Sequence, residues 1–409
     1  MNYKAIFLLV ITAIFVFNFI LVDLKYRAGN KPVKEEVKDV YDSETYIKWQ
    51  KYSKEKTVFT LIKLYVHTII IIFLFAFKFF QFISRSLDSN WAIQTAVIIA
   101  IYLVIDLIID VSFSLYEDFV IEARYGFNKI TKKTFISDTI ISFLLTAIIS
   151  YAAIYGYVLI YRQLGIYTIP TCIAILIVIF ALFSYLFPYF AKIFNKFTPL
   201  ADGELKNKLI SLMDKEGYKI KGIYVIDASK RSTKSNAYCA GIGNTKKIVI
   251  YDTLLANFTD DEIVAIFAHE LGHALHKDIL KNIPFTILEA IIMVCYMYLI
   301  TFSSDIYISF KFQAINYGFA FILFSETFEA FSILLSLLGN YFSRKAEYAA
   351  DNNAVKLGYG DSLISALKKI TRENFGNLST SKFYQIVRGN HPTLVERIEN
   401  IKKKEKELS

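Results

Sequence analysis

His269, Glu270 and His273 are the residues whose types and spacing most directly suggest chemistry. They form an H-E-x-x-H within residues 259–281, T-D-D-E-I-V-A-I-F-A-H-E-L-G-H-A-L-H-K-D-I-L-K. On a helix each residue advances about 100°, so the two histidines fall on nearly one face. Two imidazoles stacked in this way hold one Zn²⁺, with nitrogens at about 2.0–2.1 Å. Glu270 stands beside them, placed to take a proton from water as the general base of metal-assisted peptide hydrolysis. The blander reading is a chance spacing on an ordinary amphipathic helix. The chain has only 5 histidines, and two of them flank a Glu at the metal-binding interval, which favours the zinc reading.

The motif requires a helix, and the surrounding residues specify one. Thr259 and Glu262 form a T-x-x-E capping box, with Phe258 and Ile263 in the two staple positions. Asp260, Asp261 and Glu262 complement the positive end of the helix. Ile263, Ile266, Phe267 and Leu271 supply the apolar stripe, and no proline interrupts before Pro284. Gly272 costs about 1 kcal/mol relative to Ala in a helix interior, which points to close packing near the metal.

A catalytic zinc needs a third protein ligand and an open position for water. Glu347 and Asp351 lie four apart in S-R-K-A-E-Y-A-A-D, on one helical face. Glu347 suits the metal, with Asp351 orienting a histidine behind it. The alternatives at this point are His276, His391 and the acids of the apolar segments, or a solvated Glu347 paired with Arg344 or Lys345.

The elements that carry these residues are set in a membrane. Of 409 residues 55% are hydrophobic and 16% aromatic, too many for a soluble globular chain of this length. Apolar runs cover residues 5–22, 58–80, 91–115, 136–160, 166–190, 285–302 and 314–338, predicting seven spans. The first lacks a small-residue cleavage site and reads as a span rather than a signal peptide. Residues 23–57 read as a charged loop. The 9 Lys and Arg of 23–57 and the 4 of 116–135 contrast with 2, 1 and 1 in 78–90, 161–165 and 303–313. The positive-inside rule then places the N-terminus outside, and the H-E-x-x-H region and C-terminus in the cytoplasm. The net charge of +9 sits in loops and the C-terminal tail, as beside anionic lipid; no nucleic-acid partner is expected. Cys172, Cys239 and Cys295 are dispersed and give no disulfide framework.

Lys63, His67, Asp106, Asp110, Glu289, Glu326 and Glu329 fall within the spans. Such groups are costly in lipid and face a bundle interior or water. A transporter shares that pattern, so transport and a zinc-stabilised scaffold without hydrolysis stand as competing classes. In the polar region, residues 204–216 read as a helix stopped by Gly217, and 218–226 as a strand. Residues 236–242 and 247–251, separated by Gly243-Asn244-Thr245-Lys246, read as a β-hairpin. A sheet edge beside a protease site takes up an extended peptide as an added strand.

Taken in order, the motifs resemble those of the type I CAAX prenyl endopeptidases, integral-membrane zinc proteases. The resemblance rests on Phe113-Ser114-Leu115-Tyr116, Phe119-Val120-Ile121-Glu122, Gly126-Phe127-Asn128, Phe197-Thr198-Pro199-Leu200, Ser235-Asn236-Ala237-Tyr238 and Asp252-Thr253-Leu254-Leu255. It continues through His269-Glu270-Leu271-Gly272-His273, Glu347 with Asp351, and His391-Pro392-Thr393-Leu394 with Glu396-Arg397. It implies a mainly α, polytopic fold with seven transmembrane helices around a water-filled chamber, and a cytoplasmic zinc site. It implies Glu347 as third ligand and Asn236, Ala237 and Tyr238 as the substrate-binding strand edge. It also implies His391 and Arg397 beside the zinc, His391 donating a hydrogen bond to the oxyanion and Arg397 assisting electrostatically. Cys239-Ala240 and Ala274 depart from the aromatics common there, which bears on substrate preference rather than chemistry.

The expected organisation is five spans with cytoplasmic loops in 1–195, a protease region in 196–281, two spans in 282–340 and a C-terminal cytoplasmic region in 341–409. The expected activity is removal of the three residues after a prenylated cysteine, with one Zn²⁺ per chain, a peptide or lipidated-peptide substrate, lipid surroundings and a monomeric state. The heat-shock membrane protease HtpX is the second protease reading. Composition rich in Lys, Ile and Phe favours a bacterial cytoplasmic membrane, with the endoplasmic reticulum as the alternative.

Overall fold

Helix formers and capping residues decide where the long apolar runs begin. A computed structural model describes residues 2–87, 90–240 and 247–408. Its first part is helical: α1 (Tyr3–Gly29), α2 (Ser43–Ala76), α3 (Phe79–Ser86), α4 (Trp91–Tyr116), α5 (Lys132–Leu164) and α6 (Thr168–Phe194). The side chains of Asn2, Asp42, Asn90 and Thr131 cap α1, α2, α4 and α5. Residues 23–57 are not one long loop. Strong helix formers carry α1 on to Gly29, and the Asp42 cap starts α2 well before its apolar run. A π-helical turn, Glu117–Glu122, ends α4. Gly165, at φ 55°, lets the chain reverse between α5 and α6, which pack against each other.

A small sheet follows, from β1 (Phe197–Pro199), β2 (Gly222–Ile226), β3 (Ala237–Ala240) and β4 (Lys247–Tyr251), with α7 (Glu204–Lys215) between β1 and β2. Its order is β1-β2-β4-β3. β2 and β4 are parallel, whereas β3 pairs antiparallel with β4 in a register that sets Tyr238 opposite Val249. The expected hairpin strands are present within a larger mixed sheet; the turn residues 243–246 lie outside the described residues. β3 is an edge strand.

The remaining elements are α8 (Asp252–Asn257), α9 (Asp260–Leu275), α10 (Asp278–Lys281), α11 (Ile283–Phe302), α12 (Ser304–Ser309), α13 (Tyr317–Thr327), α14 (Glu329–Lys356), α15 (Gly360–Glu373), α16 (Lys382–Arg388) and α17 (Leu394–Leu408). The capping box forms as the sequence specifies: Glu262 N–H donates to Thr259 Oγ1 at 3.3 Å, and Thr259 N–H to Glu262 Oε2 at 3.0 Å. One core cluster wraps α9, including Ile248, Ile250, Phe267, Ala354, Leu363 and Ile401. α9 crosses α14 closely at Gly272, where a Cβ would meet Ala350 Cα at 2.8 Å. Beside that contact Asn353 Nδ2 donates to Ala268 O at 2.9 Å.

Among the described residues, five helical stretches are long and apolar enough to cross a membrane, and a sixth if α13 and α14, bent by 43°, count together. A second core, built on Phe75, Phe80, Phe310 and Phe319, packs these helices together. Their ionisable residues pair across helices: Lys63 with Asp110 at 2.7 Å, and His67 with Asp106 at 3.5 Å. Tyr102 donates to Glu326 at 2.9 Å, and Arg388 reaches Glu329 at 2.6 Å.

Candidate metal centre

α9 presents His269 and His273 with their Nε2 atoms 3.2 Å apart. α14 brings Glu347 against both: Oε1 lies 3.3 Å from His273 Nε2, and Oε2 lies 3.6 Å from His269 Nε2. Tetrahedral ligands about 2.0–2.1 Å from zinc stand roughly 3.3 Å from one another, so these spacings match the edges of such a site. Glu347 Oε2 is buried and makes no hydrogen bond, an acceptor that a cation would satisfy. The donor set of two imidazoles and one carboxylate fits zinc. His276 stands outside this group. Arg344 does not pair with Glu347; it donates to the carbonyls of Gln385 and Gly389.

Behind the three donors lies a layer of acids. Asp351, fully buried on α14, places Oδ1 2.9 Å from His269 Nδ1. Asp278 places Oδ2 2.9 Å from His273 Nδ1. Sequence reasoning singled out Asp351 but missed Asp278. Lys277, at φ 56°, breaks the helix and turns Asp278 back toward the ring. Each acid fixes which ring nitrogen carries the proton, leaving Nε2 as the ligating atom.

The C-terminal segment completes the site. Arg397, on α17, grips Asp351 through Nε at 3.0 Å and Nη2 at 2.6 Å. Its Nη1 lies 3.3 Å from Glu347 Oε2. His391 Nδ1 lies 2.9 Å from the other oxygen of Glu347, with 57% of its side chain exposed. His391 and Arg397 thus flank one carboxylate without touching each other, and the guanidinium is committed to the acids rather than open to solvent.

β3 runs past the same helix. Ala237 and Tyr238 share a small cavity with Glu270, Ile266 and Phe267. Burial pushes the Tyr238 phenol up to about 12, so it stays protonated at working pH. Asn236 is exposed just before the strand; its carbonyl accepts from Tyr251 N–H at 3.1 Å. The approach to β3 is held on two sides. Ser235 N–H donates to Asn374 Oδ1 at 3.2 Å, and Lys234 pairs with Glu122 of the π-helical turn at 3.3 Å.

Residues 199–405, just over half of the chain, match peptidase family M48. The chain belongs to that family. Residues 23–196 match a second family, the CAAX prenyl protease N-terminal domain with five membrane helices. This M48 peptidase is 38% identical over 297 residues to "CAAX prenyl protease 1 homolog" of Arabidopsis thaliana, covering 72% of this chain and 70% of that one. It is 33% identical over 308 residues to "CAAX prenyl protease 1" of Saccharomyces cerevisiae, covering 71% and 68% respectively. The crystal structure of S. mikatae Ste24p superposes with a TM-score of 0.90 at 28% identity, covering 98% of this chain and 99% of that one. The M48 chain is therefore a multi-pass membrane metalloendopeptidase with the Ste24p fold. The match to the five-helix N-terminal domain disfavours the HtpX-like reading.

Proposed function

We propose that this peptidase is a zinc endopeptidase that removes the three residues following a prenylated cysteine. The observation that carries the reading is the convergence of His269, His273 and Glu347 beside Glu270 and the edge strand β3. His269, His273 and Glu347 hold one Zn²⁺ per chain, and Asp351 and Asp278 orient the two rings. When bound, zinc supplies a Lewis acid for the scissile carbonyl and a more acidic water. Glu270 takes the proton from the attacking water. Asn236, Ala237 and Tyr238 receive the substrate backbone as an added strand. His391 donates a hydrogen bond to the oxyanion that develops at the scissile carbonyl. Arg397 acts through Asp351 and Glu347, keeping the ligands in place.

The membrane part consists of seven spans in this reading: α1, α2, α4, α5, α6, α11, and α13 with the start of α14. The apolar stretch 132–183 counts as two, because α5 and α6 fold back on each other at Gly165. Residues 1–195 and 282–340 form the bundle; 196–281 and 341–409 form the catalytic part on the cytoplasmic side. The paired charges around Lys63, His67, Asp106 and Asp110 line a water-filled chamber. One chain supplies every residue of the site, so a monomer suffices. The prenylated substrate class rests on the names of the relatives.

The test is cleavage of matched prenylated and unprenylated peptides by the purified protein, with and without chelator. Glu270→Gln is expected to keep its metal and lose roughly 10²-fold or more of its rate; His273→Ala is expected to lose the metal too. Undiminished cleavage by Glu270→Gln would end the protease reading, and equal cleavage of both peptides would end the prenyl part of it.

A further inference from the structure

α14 carries a polar stripe above the metal ligands. Asn340, Arg344, Glu347 and Asp351 follow one another at intervals of four, three and four, so they share a face. The lower two serve the metal site. The upper two reach across to α16 and take hold of its last turn. Asn340 Nδ2 donates to Val387 O at 2.8 Å. Arg344 Nη1 donates to Gln385 O at 3.0 Å and to Gly389 O at 2.6 Å. Val387 lies in the last turn of α16 and Gly389 is its C-cap, where intrahelical partners run out. Gln385 O also accepts from Gly389 N–H at 3.0 Å, and a guanidinium there meets the negative pole.

Two residues beyond Gly389 stands His391. It lies outside any helix, between α16 and α17, with 57% of its side chain exposed. Packing alone does not hold such a side chain. Its position against Glu347 follows from the anchoring of the backbone before it, from the Gln385 side-chain amide, which donates to the His391 carbonyl, and from Pro392 after it, whose ring fixes φ. Arg344 and Glu347 are one helical turn apart on α14. The first grips the backbone leading to His391, and the second meets its ring at 2.9 Å.

We propose that Arg344 is the positioning residue for His391: its two carbonyl bonds set the segment 389–391 so that the imidazole stands over the metal site. The inference rests on the catalytic reading of His391 given above. Arg344 touches neither metal ligand nor substrate in this scheme, so its loss is expected to act on turnover rather than on metal or substrate binding.

The experiment is a double-mutant cycle on the full-length protein with Arg344→Met, which keeps the aliphatic stem and removes the donors. Turnover is expected to fall toward, and not beyond, the roughly 10²–10³-fold loss given by His391→Ala. KM and zinc content are expected to stay unchanged, and Arg344→Lys, with a single donor group, to recover part of the rate. In the His391→Ala background, Arg344→Met is expected to add almost nothing. Hydrogen exchange of the peptide spanning 385–391 is expected to speed up in Arg344→Met. Losses that multiply in the double variant, loss of zinc, or unchanged exchange would each overturn the proposal. If Arg344→Met does not fold, Asn340→Ala takes its place, with a smaller effect of the same kind. Full activity of His391→Ala would sink the catalytic reading of His391 itself; faster exchange in Arg344→Met would then still support the grip, and unchanged exchange would overturn that too.

Discussion

Asp278 relates to His273 as Asp351 relates to His269, each acid 2.9 Å from the ring nitrogen that faces away from the metal position. Partners of this kind orient the ring and raise its basicity, and their loss costs about 10–100-fold in metal affinity. Asp278→Ala is expected to weaken zinc retention on that scale in a chelator competition while the fold persists; unaltered retention would make Asp278 a bystander. The two acids also show what a sequence discloses. Asp351 is legible because it repeats at helical interval after Glu347 on a helix that continues through both. Asp278 is not, because it acts only through the left-handed turn at Lys277, which interrupts the periodicity. Arg397 was singled out from its motif, but its grip on Asp351 joins positions 46 residues apart that no local pattern links.

At the level of elements, α9 is specified almost entirely by its own residues, from the capping box to the apolar stripe. Burial favours the neutral form of Glu262, but hydrogen bonds from Ser365 and the Thr259 backbone, together with Lys369, outweigh it and hold the carboxyl below its usual range. A depressed pKa means stability that is present above the unfolded value, near 4.3, and is lost as pH falls through the folded one. Glu262→Gln is therefore expected to lower the thermal midpoint at neutral pH, with the gap to the parent protein closing on acidification; a gap independent of pH would assign the effect to shape alone. β3 is less self-evident. The hairpin strands are legible, but β1 and the parallel pairing of β2 with β4 depend on partners 25 or more residues away. Asn236→Ala is expected to reduce catalytic efficiency while zinc content and melting temperature hold. A collapse in stability would make this edge architectural instead.

For the molecule as a whole, composition announces a membrane protein, and the apolar runs mark where its long helices lie. Their true ends are less legible, since α1 and α2 extend beyond the apolar residues on charged helix formers. The Lys and Arg asymmetry predicts a cytoplasmic C-terminus. A reporter active on only one side of the membrane, fused after residue 409, checks this, and an external signal would require an odd change in the number of spans. The site itself is assembled from distant stretches: α9, then α14, and finally His391 and Arg397. Arg397 stands between Asp351 and Glu347 and offsets part of their charge, and two buried carboxylates are unfavourable without a cation between them. That cation comes after every other site residue in the chain, so it is the last of them to leave the ribosome. A nascent copy already carries its H-E-x-x-H but lacks the counter-charge that settles the third ligand. The charge balance of the site is therefore completed only once the C-terminal segment has folded onto α14. A chain halted before residue 391 is expected to insert into the membrane and to cleave nothing.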